Sequence, residues 1–202
     1  MMWNQIRHYA LKSSVFGQYK GILIADLTAH QQYKTEFVAY ITQTLQVIEQ
    51  NDPRRFRSIL CGLKFICNTP LCSVGNYDHA LRCCGIDFTH YKCNPEKPEY
   101  EWWVARGAST IVHEATHARL HSFGIPYNDK TWERVERLCR LEQSRFASRL
   151  KSDHYDFSKL VPEFDPTEWR EHRSGSWLQR RGRKVIRAYR DWKRTDTQHF
   201  SE

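Results

Sequence analysis

The chain has 202 residues and a formal charge of +8 at neutral pH, with 40% hydrophobic and 13% aromatic residues. That length suits a single domain with a sizeable core, and no apolar run approaches the roughly 18 residues of a membrane-spanning helix. The opening Met1-Met2-Trp3-Asn4-Gln5-Ile6-Arg7-His8 lacks the charged-then-apolar order of a secretory signal, so the expected location is cytoplasmic, or outside the cell by a route without a cleaved signal peptide.

Gly21-Ile22-Leu23-Ile24-Ala25 is a short apolar run, too brief for a helix, and reads as a buried strand. Thr28 with Gln31 forms a capping box. It is expected to open a helix whose apolar residues Tyr33, Phe37, Tyr40, Ile41, Leu45 and Ile48 keep the helical period. Asn51-Asp52-Pro53 stops that helix. Residues 54–93 read as β-rich, with Phe56, Ile59, Leu63, Phe65 and Ile66 in one run and residues 83–91 in another. Asn68-Thr69-Pro70 and Gly75-Asn76 supply turn chemistry between them. Residues 83–91 fit either an edge strand that could accept an extended peptide or an ordinary interior strand.

Six of the seven cysteines (Cys61, Cys67, Cys72, Cys83, Cys84 and Cys93) lie in this region, and the seventh is Cys139. No pair has the C-x2-C spacing of a zinc ribbon. Buried reduced thiols and one to three disulfides are the two readings, the first favoured by the missing signal. Asn94-Pro95-Glu96-Lys97-Pro98-Glu99 is a loop that could rim a cleft.

His113-Glu114-Ala115-Thr116-His117 carries the chemistry. On a helix, residues four apart stack about 6 Å along the axis, so two imidazoles can converge on one metal ion. The glutamate between them lies beside that metal. Ala108, Ile111 and Val112 before the motif suit a buried helix, and Gly124-Ile125-Pro126 after it is a helix stop. The chain can then return on a second helix with Asn128 or Asp129 as N-cap and Trp132, Val135, Leu138, Cys139, Phe146 and Leu150 as its apolar stripe. Glu133, Glu136, Glu142 and His121 compete as third ligand. His121 lies about 12 Å up the axis from His113, too far to share a coordination sphere. Glu136 falls on the edge of the stripe and is the expected ligand. Glu142 points more squarely into the stripe, as a reserve ligand or a partner for a ligand histidine.

Glu136 follows His117 after 18 residues, and HExxH-x18-E resembles the gluzincin metallopeptidases, with their thermolysin-like and aminopeptidase branches. The likeness covers only about residues 101–150. It implies an α+β, minimal zincin-like domain: a small, mostly antiparallel sheet packed on the HExxH helix, within residues 1–165. It also implies Zn2+ held by His113, His117 and Glu136, and Glu114 as general base towards a zinc-activated water that hydrolyses a protein or peptide substrate. In that family the strand before the zinc helix edges the sheet. Two features depart from the pattern: Arg140 stands where thermolysin-like enzymes carry an acid, and no substrate-amine motif precedes the helix. Tyr127, His121, Tyr155, His154 and His172 are available to stabilise an oxyanion.

Charge concentrates at the C-terminus. Between Arg170 and Arg194 stand ten Lys/Arg against two acids, which accounts for the whole +8. Val185, Tyr189 and Trp192 keep a helical spacing, so residues 166–202 are expected to form a basic helical extension packed on the same domain. Its outer face is either simply solvated or docks on an acidic partner, an anionic membrane or nucleic acid. Two functions follow. The first is a zinc metallopeptidase, whose size and layout also suit a bacterial effector or toxin restrained by an inhibitory partner protein. The second is a nucleic-acid- or membrane-docked binding protein whose tail acts and whose zinc is structural or vestigial.

Overall fold

A computed structural model of the chain describes residues 2–28, 34–69, 75–91, 95–161 and 164–166. Its contacts divide it into one unit, Met1–Pro162, and a second, Glu163–Glu202. The basic helix expected after residue 166, His172 included, lies outside the described residues, as do Cys72 and Cys93. Among the described residues no helix is long and apolar enough to cross a membrane.

The first unit is α+β. In chain order it contains α1 (Met2–Ser13), β1 (Val15–Tyr19), β2 (Ile22–Asp26), α2 (Lys34–Asn51), α3 (Pro53–Gly62), β3 (Phe65–Asn68), β4 (Gly75–Asp78), β5 (Cys83–Ile86), α4 (Glu99–Ser122) and α5 (Trp132–Ala147). The strands form one sheet in the order β1-β2-β3-β5-β4. The outer pairs β1/β2 and β5/β4 are antiparallel, and the central pairs β2/β3 and β3/β5 are parallel. A mostly antiparallel sheet was the expectation; the centre is parallel because α2 and α3 cross from the end of β2 back to the start of β3.

Alternation along the central strands sorts their side chains into two cores. Ile22, Ile24, Ile66, Cys84 and Ile86 face the larger core with Phe37, Ile41, Ile59, Ile111 and Val112 from α2, α3 and α4. Ala25, Phe65, Cys67 and Cys83 face the other side, under Leu11 of α1. Cys61, Cys67, Cys83, Cys84 and Cys139 are free thiols, and the Cys67 and Cys83 sulfurs lie 3.2 Å apart across β3 and β5.

Several local expectations change. Residues 53–62 are helical rather than β-rich. Pro53 occupies the first turn, and the Asp52 carboxylate caps it by accepting the Arg55 backbone N–H at 3.0 Å. The Thr28 hydroxyl donates to Asp26 Oδ1 at 2.7 Å, and Gln31 of the expected capping box lies outside the described residues. Residues 83–91 are not an edge strand: β5 is interior with all four residues buried, a 3-10 turn occupies Phe88–Tyr91, and β4 forms the edge. Helix α5 is preceded by Thr131 rather than Asn128 or Asp129, because the Asn128 side chain closes a turn onto the Lys130 N–H at 2.9 Å.

Candidate metal centre

Helix α4 is buried almost all round from Val104 to Ala118, between α2 and α3 on one side and α5 on the other. It ends at Ser122, followed by Gly124, whose φ of 73° suits a residue without Cβ, and the Ile125 N–H bonds back to Leu120 O at 3.0 Å. That reversal lays α5 against α4. Helix α5 then presents Glu136, Cys139 and Gln143, at helical spacings of three and four, towards the two histidines.

The donors converge. His113 Nε2 and His117 Nε2 lie 3.3 Å apart. Glu136 Oε2 is 3.3 Å from His113 Nε2, and Glu136 Oε1 is 3.5 Å from His117 Nε2. Tetrahedral Zn2+ with bonds near 2.0–2.1 Å requires donors about 3.4 Å apart, a spacing that the imidazole pair and the contact of each imidazole with its own Glu136 oxygen all approach. Glu136 is only 2% exposed, and its Oε2 has no hydrogen-bond partner. A buried carboxylate oxygen is costly to leave unsatisfied, and a cation at this point would satisfy it.

Further contacts orient the donors. Gln143 donates its amide N–H to Ser109 Oγ at 2.8 Å, which turns its Oε1 to His113 Nδ1 at 3.2 Å. Nδ1 therefore carries the imidazole proton, and the Nε2 lone pair faces the cluster. The Tyr127 hydroxyl donates to Glu136 Oε1 at 2.6 Å, and its ring meets the His117 ring edge-on at 5.3 Å. Replacing Tyr127 with Phe should weaken zinc binding by about 10- to 100-fold, measured by competition with a chromophoric chelator, while the fold stays intact.

Charge in the cluster is unevenly held. Burial pushes His117 down to about 4, and the neighbouring His113 adds to that. Burial also pulls on His113, but the carboxylates of Glu136 and Glu114 outweigh it and raise its pKa. The two imidazoles conversely hold Glu136 below the usual carboxylate range despite its burial. Glu114 is 6% exposed, and burial pushes it up to about 7. It lies against β4, since a Cβ added at Gly75 would come within 3.0 Å of Glu114 Oε1.

The remaining candidates lie elsewhere. Glu142, the reserve ligand, pairs with Arg55 at 2.8 Å and Arg145 at 3.0 Å, because those guanidiniums satisfy it away from the histidines. Glu133 pairs with Arg137 on the surface. The His121 ring packs on His79 at 4.8 Å. His154 and Tyr155 sit by Trp102, about 16 Å or more along α4 from His113. Of the four oxyanion candidates among the described residues, Tyr127 is brought to the cluster. Sequence reasoning missed Gln143 and treated Cys139 only as packing. Their spacing from Glu136 was the available signal. One donor atom from each of His113, His117 and Cys139 lies within 4.8 Å of the others, a possible metal-binding group.

No family model, curated protein or solved structure matches the chain.

Proposed function

We propose that this protein is a zinc-dependent hydrolase of peptide bonds, with His113, His117 and Glu136 as metal ligands and Glu114 as general base. The observation that carries the reading is the convergence of His113 Nε2 and His117 Nε2, 3.3 Å apart, on the buried Glu136 carboxylate, whose Oε2 lies 3.3 Å from His113 and whose Oε1 lies 3.5 Å from His117. Bound Zn2+ would supply a Lewis acid for a carbonyl oxygen and acidify water beside it. Glu114, next to His113 in sequence and buried against β4, would hold a proton taken from that water and return it to the leaving amine. Tyr127 holds Glu136 through Oε1 and is half exposed, so it borders the solvent-facing side of the cluster. The peptide substrate class comes from the HExxH-x18-E resemblance, and the analogy to an effector or toxin from the chain's size.

Zinc-loaded protein should cleave an unfolded protein such as casein, scored by mass spectrometry. Glu114→Gln should keep one zinc per chain and lose at least about a hundredfold in rate. A wild type purified without stoichiometric zinc, or a Glu114→Gln variant as active as wild type, would overturn the reading.

A further inference from the structure

Cys139 follows Glu136 by three residues, so the two share the α5 face that meets α4. Its side chain is 0% exposed. It packs with Leu120 and Val135, which accounts for its burial. The same packing holds the sulfur within 4.8 Å of a nitrogen on each of the two histidines. It does not account for the neighbouring Glu136 Oε2, buried and without a hydrogen bond. Soft thiolate is among the preferred donors for zinc, and rotation about the Cα–Cβ bond controls how closely Sγ approaches the imidazole nitrogens.

We infer that Cys139 supplies a fourth protein donor to the metal held by His113, His117 and Glu136. The inference rests on the zinc reading above. On binding, the thiol proton is released to solvent as the metal–sulfur bond forms. A set of two imidazoles, one carboxylate and one thiolate is closed, so solvent gains the fourth position only when the sulfur leaves. This distinguishes the resting site from an open three-ligand one, and places control of access on a residue of α5.

Cobalt and X-ray absorption test this without an activity assay. Metal-free protein titrated with Co2+ should show a thiolate-to-cobalt charge-transfer band in the near ultraviolet that saturates at one equivalent. Cys139→Ser should still bind one Co2+, without the band and with affinity lower by roughly tenfold or more. X-ray absorption of the zinc-loaded wild type, which needs no variant, should show one sulfur at about 2.3 Å among nitrogen and oxygen neighbours at about 2.0–2.1 Å. A shell of nitrogen and oxygen alone, or a band that persists in Cys139→Ser, would overturn the fourth donor and leave the three-ligand site standing. A protein that binds no metal would overturn both.

Discussion

Glu136→Gln should weaken zinc binding by about a hundred- to thousandfold while leaving the fold in place. The amide matches the carboxylate in shape, and its oxygen can still accept from Tyr127, so packing between α4 and α5 survives. What disappears is the negative charge that faces both imidazole Nε2 atoms at 3.3 and 3.5 Å. Zinc sites with a full protein ligand set bind with about 10–16 kcal/mol, so one charged ligand accounts for roughly 3–4 kcal/mol, or about a hundred- to thousandfold in affinity. Thermal unfolding with and without zinc reads this directly. Wild type should gain stability with added metal, as any ligand specific for the folded state confers, and the variant should gain about 3–4 kcal/mol less at the same saturating metal concentration. A variant that keeps wild-type affinity would remove Glu136 from the ligand set.

The second large effect is expected at Gly107, and its sign is diagnostic. Glycine to alanine inside a helix normally stabilises by about 1 kcal/mol. Here α4 crosses α2 at this residue, and an added Cβ would collide with the Tyr40 hydroxyl and lie 2.9 Å from its Cζ. Tyr40 is 1% exposed, donates to Trp103 O at 2.8 Å, and packs on Phe88 and Tyr91 with ring centroids 5.3 and 5.6 Å away. It has nowhere to move without losing that hydrogen bond and opening the aromatic cluster. Gly107→Ala should therefore destabilise by about 3 kcal/mol, read by urea denaturation. Tyr40→Phe in the same chain should recover part of the loss, because it removes the atom that collides first. Equal stability of Gly107→Ala and wild type would mean that the two helices sit further apart than described.

The histidine cluster was more legible in the sequence than the sheet was. His113 and His117 share a helical face through the local geometry of one turn, and Gly124 marked the end of that helix just as locally. Glu136 could be singled out because its position on the α5 stripe, like the histidine spacing, depends only on helical period. Cys139 and Gln143 share that periodicity, but Cys139 was read as apolar packing and Gln143, polar and outside the stripe, was not singled out. Helix α3 was misread because Phe56 and Ile59 make a short apolar run, and the Asp52-Pro53 cap was taken only as the end of α2. Strand β5 was left between edge and interior because strand pairing joins residues far apart in the chain: Cys84 lies beside Ile66 on one side and Tyr77 on the other.

Residue types and helical spacing thus specified a pair of imidazoles, a glutamate between them and a candidate third ligand, since each depends on a few neighbouring backbone torsions. Folding of the whole unit settled which side of α5 meets α4, that Gln143 sets the His113 tautomer, and that the Cys139 sulfur lies near both imidazoles. Those relations arise where two helices bury their faces against each other, and the distance between such faces is a property of packed surfaces rather than of sequence period.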